Sequence, residues 1–253
     1  MGSLTLGLAT AGCTFGGALF GVWLQTRLPR HHLDKDSHEI VKLGAGMLAT
    51  ITALVLGLLV SSSKGTFDTI NDGIKQASAK IILLDRILAQ YGQEGQPVRE
   101  QIRRSVVASL AAGRLRGPSS TAGLTTAPVT NRVEAIEAML RGLAPQTDGQ
   151  RQLLAQAHAV AGDMSRTRWL MMEEAQSELP MPLVFILICW LTVLFVSFGL
   201  FAPRNGTVIA VLFVCACSMS AAVFLILEMN RPLEGFLRVS SAPLRNVLQH
   251  IGH

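Results

Sequence analysis

Charged residues are scarce in this chain, and four long stretches contain none. Asp, Glu, Lys and Arg make up 15% of the 253 residues, against roughly a quarter in soluble domains. The uncharged runs are residues 4–25, 43–63, 181–202 and 205–227. A helix of such a length rises about 1.5 Å per residue and crosses the roughly 30 Å hydrocarbon core of a bilayer. The missing charge therefore predicts four transmembrane helices and a lipid bilayer around them.

Cysteine is absent from every segment outside these runs. The four cysteines are Cys13, Cys189, Cys215 and Cys217, and all lie inside the apolar stretches. That placement excludes a disulfide framework and a cysteine-based zinc site in the aqueous part of the protein. Within lipid, cysteine behaves as a small apolar residue.

Ionisable residues are also missing from the middle of every run. Proton pumps, voltage sensors and most ion-coupled transporters place such groups there, so these classes are disfavoured. A passive pore closed by apolar rings needs no such ionisable group.

The chain has no catalytic Ser/His/Asp grouping, phosphate-binding glycine loop or HExxH helix, so we expect neither an enzyme nor a cofactor. No basic patch interleaved with aromatics points to nucleic acid.

The topology follows from the distribution of basic residues. The first run lacks the basic start and the cleavage site of a signal peptide, so we expect an uncleaved helix. With four spans, residues 64–179 share one side of the membrane with both termini. Eight Lys and Arg residues lie near the membrane ends on that side, against five on the other. The positive-inside rule therefore predicts that the termini and 64–179 are cytoplasmic.

The segment 64–179 is helical by pattern. Its first part continues the second span with an apolar seam at spacings of three and four, which predicts packing against another helix. The seam residues are Phe67, Ile70, Ile74, Ala77, Ile81, Leu84, Leu88 and Tyr91. Further helices are predicted from Pro97 to near Gly113, over 133–143, and from about Asp148 towards Pro180.

An uncharged stretch rich in Gly, Ser, Thr and Pro predicts a flexible linker at 117–128. We therefore predict an all-α protein in four parts. Residues 1–63 hold the first two transmembrane helices, and residues 180–229 hold the third and fourth. Extensions of the second and third spans form a cytoplasmic helical bundle over 64–179, and residues 230–253 form a cytoplasmic tail.

Three histidines and three acids stand between the first two runs, in the stretch PRHHLDKDSHEI at 29–40. Asp36 and Glu39 have the spacing of a capping box that opens a helix. A calcium loop that starts at Asp34 and Asp36 fails, because Glu39 occupies the position of the required glycine and Ala45 that of the bidentate glutamate. His31 and His32 are candidates for a pore mouth, and a metal site or a pH sensor built on the histidines is the alternative. We favour the turn and cap and expect no metal.

Small residues occupy one face of the second span at nearly every turn. They are Gly46, Ala49, Thr50, Ala53, Gly57 and Ser61. One interpretation is close helix packing, and the other is a pore-lining stripe in which small residues leave room and Thr50 supplies a hydroxyl. Leu54, Val55, Leu56 and Leu58 are the candidates for an apolar gate.

Polar residues follow the last span. Glu228, Asn230 and Arg231 predict either a helix end with snorkelling charge or a group at the cytoplasmic mouth of a pore.

Two blocks near the ends of the chain carry a family resemblance. The first is LPRHHL at 28–33 followed by ATITALVLGLL at 49–59, and the second is LEMNRPLEG at 227–235 followed by VSSAPLR at 239–245. Both resemble a bacterial family of membrane proteins labelled bestrophin-like. The resemblance implies a bacterial inner-membrane protein related in plan to the bestrophins, which are pentameric anion channels whose second helix lines the neck. Residues 47–56 lack the aromatic neck of bestrophins, so ion selectivity and subunit number stay open.

Two functions therefore remain. The first is a homo-oligomeric ion channel whose path is lined by the second span and whose partners are copies of itself and inorganic ions. The alternative is a non-conducting, membrane-anchored helical scaffold that recruits a partner.

Overall fold

The computed structural model describes residues 2–29, 35–115, 127–176, 180–230, 240 and 242–251. These parts of the chain are helical and contain no strand. The helices are α1 (Ser3–Arg27), α2 (Lys35–Tyr91), α3 (Gln96–Leu115), α4 (Ala127–Arg141), α5 (Asp148–Gln176), α6 (Met181–Phe201), α7 (Gly206–Met229) and α8 (Ala242–His250), with a short 3-10 helix at Gln93–Gly95. Two compact units result: unit 1 comprises 1–65 and 178–230, and unit 2 comprises 66–177 and 231–253.

Four of the described helices are long and apolar enough to cross a membrane. They are α1, α2, α6 and α7. The prediction of an all-helical protein with several long apolar helices is therefore confirmed.

In unit 1, α1 packs closely against α6 and α7. The closest approach is between α1 and α6, where a Cβ on Gly21 would overlap the carbonyl oxygen of Val196 and one on Gly199 would overlap that of Ala18. Glycine at both positions lets the two backbones touch, as small residues do in membrane helix pairs.

Buried hydroxyl groups between these helices donate hydrogen bonds to backbone carbonyls. Thr14 donates to the backbone carbonyl of Thr10 on the same helix. Ser220 on α7 donates to the carbonyl of Gly7 on α1 at 2.6 Å. These bonds offset the cost of burying the hydroxyls, so a run without charge still forms specific contacts.

One end of unit 1 gathers the end of α1, the beginning of α2, the end of α6 and the beginning of α7. The His38 ring lies 4.3 Å from the Phe201 ring, and Arg204 donates to Gln25 at 3.3 Å. Asn205 caps α7, since its side-chain oxygen accepts from the backbone N–H of Val208. The apolar helices α1, α2, α6 and α7 therefore run in alternating directions through unit 1.

In unit 2, α2 buries the predicted apolar seam. Ile70, Leu84 and Leu88 are almost fully buried, and the core around the last two includes residues from α3, α4, α5 and α8. The uninterrupted α2 therefore confirms that the seam continues the second apolar run without a break.

The chain leaves α2 through a turn that needs glycine. Gly92 has a φ of 113°, which side chains rarely adopt. A Cβ on Gly95 would lie 2.6 Å from the carbonyl oxygen of Leu88. Beside this turn the hydroxyl of Tyr91 is buried and has no hydrogen-bond partner among the described residues, and burial raises its pKa.

Some predicted boundaries were wrong. The helix α2 already includes Lys35, so Asp36 lies inside it and is not its N-cap. The end of the predicted linker 117–128 belongs to α4, which begins at Ala127, and 116–126 lie outside the described residues. The third span does not simply extend the bundle, because Pro180 has extended backbone between α5 and α6. Proline cannot continue a helical hydrogen-bond ladder, so α6 begins afresh after it.

The tail at 230–253 contains a helix that the sequence pattern did not predict. It is α8, whose Val247 is fully buried in the core of unit 2, together with Ile251 just after it. Nine residues are too few to give a strong helical period, so the contact with the core decides the structure.

Candidate functional site

One face of the second apolar helix is not covered by any other described part of the chain. Its most apolar window is 11% buried, against 28% for α1, 33% for α6 and 22% for α7. The buried side of α2 carries Thr52, Leu59 and Ser63. The opposite side holds the predicted pore-lining residues together with Leu54 and Leu58, whereas the gate candidates Val55 and Leu56 are partly buried against the core of unit 1.

The small-residue stripe does not pack against the other helices that the structure describes. A Cβ placed on Gly46 or Gly57 would meet no other atom within 4 Å, and Thr50, Ala53 and Ser61 are exposed. Thr50 donates to the carbonyl of Gly46 at 3.0 Å, so its hydroxyl is satisfied within the helix. If these residues serve helix packing, their partner is not one of the described helices of this chain.

A second stripe of large apolar residues runs beside the small one. At 100° per residue, it lies about 80° around the helix from the small residues. Leu54 is 74% exposed and Leu58 is 65% exposed. The sequence reasoning found these two but missed Ile40, Leu43 and Met47, which continue the stripe at spacings of three and four. That spacing was the signal that could have found them.

Glu228 does not snorkel as one interpretation predicted. It is 2% exposed in unit 1, and Ser3 at the start of α1 donates to its carboxylate at 2.6 Å. Asn230 is the C-cap of α7 and is partly buried. The carboxylate thus joins the start of α1 to the end of α7. The other mouth candidates, His31, His32 and Arg231, lie outside the described residues.

The chemistry of this face is simple. It offers hydroxyls, backbone and hydrocarbon, and the described residues contain no group of three or more His, Cys, Asp or Glu side chains placed to hold a metal ion. Such a surface can line a path or seal against a helix.

Comparison with known families identifies the family of this chain. The model of the Bestrophin-like domain matches residues 12–244. The chain belongs to the bestrophin-like family. The match covers α1 to the beginning of α8, and so nearly the whole chain. No curated protein and no solved structure matches it.

Membership in the bestrophin-like family and the apolar helices indicate a multi-pass membrane protein of the ion-channel kind. The resemblance read from the two sequence blocks is therefore confirmed at the level of the family.

Proposed function

We propose that this bestrophin-like chain is one subunit of a homo-oligomeric ion channel and that α2 lines its path. The observation that carries the proposal is the uncovered face of α2, opposite its buried side. Self-association around an axis would cover that face with copies of itself.

The two stripes on this face suit two tasks. The small stripe, with Gly46 and Gly57, allows α2 helices of neighbouring subunits to approach closely. The large stripe would then turn towards the axis. Rings of Leu54 and Leu58 would close the path by excluding water, as hydrophobic gates do.

The lack of charge in the middle of the spans supports a passive path. A pump or coupled transporter needs an ionisable group in the membrane to carry its coupling ion or proton. On this face the residues from Leu43 to Ser63 carry none.

The proposed topology has four spans, α1, the first part of α2, α6 and α7, in the bacterial inner membrane. Both termini and residues 64–179 are placed in the cytoplasm, because eight basic residues flank the membrane on that side against five on the other. In this topology Gly57 and Ser61 lie nearer than Gly46 to the cytoplasmic end of the span formed by α2.

Flux measurement on purified protein in liposomes tests the proposal. In a background with Cys13, Cys189, Cys215 and Cys217 replaced by Ala, Leu54→Cys and Leu58→Cys are exposed to a charged thiosulfonate reagent. We expect the reagent to block ion flux through both variants.

Phe213→Cys on α7 is the matched control, because Phe213 is also about half exposed but its ring contacts Phe15 on α1. Its flux should not change on treatment. If the reagent blocks ion flux through neither cysteine variant of α2, then α2 does not line the path. If the protein gives no flux of Na⁺, K⁺ or Cl⁻ at several pH values and calcium levels, the non-conducting scaffold is favoured.

A further inference from the structure

Of the helices that the structure describes, α2 alone belongs to both units, and it passes from unit 1 to unit 2 between Gly65 and Thr66. Before this point Leu59 packs in the core of unit 1. After it, Thr66 donates a hydrogen bond to Glu174 of α5 within unit 2, at 2.9 Å. Each unit therefore holds its own part of α2, and the segment 61–65 connects the two parts.

The residues of this connecting segment favour a helix only weakly. Its sequence is SSSKG. Serine competes with the helix through its own hydrogen bonds to the backbone, and glycine is the least favourable helix residue after proline. Packing does not require the glycine, because a Cβ on Gly65 would meet no other atom within 4 Å. Sharp bends of helices occur where glycine and serine come together in this way.

Ser63 adds a buried polar group that the uninterrupted helix leaves unsatisfied. Its exposed fraction is 0%, and its hydroxyl has no hydrogen-bond partner among the described residues. By contrast, Thr52 and Ser78 on the same helix donate to the carbonyl four residues earlier. A buried hydroxyl without a partner is costly. For Ser63 the corresponding acceptor is the carbonyl of Leu59, and a serine that bonds to this carbonyl bends its helix.

We propose that the segment 61–65 is a hinge in α2. In the bent form the hydroxyl of Ser63 donates to the carbonyl of Leu59, and Gly65 accepts the altered backbone angles. The bend tilts the membrane run of α2 together with the core that Leu59 joins, while unit 2 keeps its fold. In a channel this tilt separates the α2 helices of neighbouring subunits and widens the ring of Leu58, a consequence that rests on the proposed function.

Distances between two spin labels test the hinge without any measurement of flux. In a background with the four cysteines replaced by Ala, the labels are attached to Val214→Cys in unit 1 and Val107→Cys in unit 2, both exposed. The full-length protein is reconstituted in liposomes with an excess of unlabelled protein, so that each measured pair lies within one chain. We expect two populations of distances, one unbent and one bent. A single narrow population would overturn the hinge.

Gly65→Ala has a matched control on the same helix. Alanine favours the helix over glycine, so the bent population should fall about fivefold. Gly44→Ala makes the same change at another position of α2 where a Cβ would meet no atom within 4 Å, and it should leave both populations unchanged. Equal effects of the two variants, or no effect of Gly65→Ala, would contradict a hinge at this segment.

Ser63→Ala tests the hydroxyl. The change removes the unsatisfied group from the unbent form and the donor from the bent form, so the bent population should again fall about fivefold. Ser62→Ala is the control, because Ser62 is exposed on the next position of α2. A bent population that Ser63→Ala leaves unchanged or raises would show that the hydroxyl does not favour the bend.

Ion flux through the same liposomes separates the hinge from the proposed function. Where both hold, Gly65→Ala and Ser63→Ala lower the flux about fivefold, in step with the bent population, and Gly44→Ala does not. Two distance populations in a protein without flux would support the hinge and exclude the ion path. Flux through a protein with a single distance population would overturn the hinge and leave the path in place.

Discussion

Arg99 on α3 holds the carboxylate of Asp85 on α2 with two parallel hydrogen bonds, from Nε to Oδ1 at 2.8 Å and from Nη2 to Oδ2 at 3.0 Å. Asp85 is 1% exposed and Arg99 is 12% exposed. The hydrogen bonds to Asp85 raise the pKa of Arg99, although burial opposes the shift. A pair removed from water in this way stabilises the fold only while both partners are present.

Asp85→Ala should therefore destabilise unit 2 strongly. The change leaves the Arg99 guanidinium buried without its carboxylate, which typically costs about 3–5 kcal/mol. Thermal unfolding in a mild nonionic detergent measures the loss. The double variant Asp85→Leu with Arg99→Met removes both charges and should recover most of the stability. A single variant as stable as the native protein would show that the pair contributes little.

The neighbours Leu83 and Leu84 on α2 provide a second test. Leu84 is 1% exposed and Leu83 is 50% exposed. Leu84→Ala should cost about 2–5 kcal/mol, because it leaves a cavity in the core. Leu83→Ala makes the same change of side chain and should have little effect on the unfolding temperature. Equal losses at the two positions would mean that the seam is not the buried side of α2.

The sequence predicted the regular parts of this fold well. An uncharged run of more than 20 residues has few structures open to it in a bilayer, and an a/d seam such as Ile70 to Leu88 requires a packed helix. These signals are local, because each depends on residues three or four positions apart on one helix. The same periodicity alone places Leu54 and Leu58 on a common stripe of α2.

Contacts between distant residues could not be predicted in the same way. Glu228 has the sequence context of an exposed helix end, yet it is buried and accepts a hydrogen bond from Ser3, 225 residues away. Similarly, nothing local in the nine residues of α8 shows that Val247 enters a core. Such pairings depend on which helices meet, and a single sequence carries little information about that choice.

The surface cluster of Glu100, Arg103 and Arg104 predicts that the stability of the fold depends on pH. Hydrogen bonds, first from Arg103 and then from Arg104, lower the pKa of Glu100 from 4.5 to about 2. Because the folded pKa is depressed, the stabilising contribution is complete above about pH 4.5 and is lost as the pH falls through 2. The group is at the surface, so the contribution is small and falls with added salt.

An NMR titration of the labelled carboxyl group measures this pKa in the folded protein. Replacing Arg103 and Arg104 by Gln should move the midpoint back towards 4.5. High salt should shift it in the same direction in the native sequence. A titration midpoint that stays the same after both changes would exclude the two arginines as the cause of the lowered pKa of Glu100.

The glycines of α1 make the last prediction, because the same helix supplies its own control. Gly21 faces α6 so closely that a Cβ would overlap the carbonyl of Val196, whereas Gly16 has no atom within 4 Å of the same position. Gly21→Ala should therefore separate α1 from α6 and destabilise unit 1 by about 1–3 kcal/mol, the usual cost of overpacking.

Gly16→Ala should be neutral or stabilising, by up to about 1 kcal/mol, since alanine favours the helix over glycine and meets no neighbour. Unfolding temperatures of the two variants in the same detergent give the comparison. If α1 and α6 are held by backbone contact, only Gly21→Ala lowers the unfolding temperature. A loss at Gly16 equal to that at Gly21 would instead place another helix, from a second subunit, against the open side of α1.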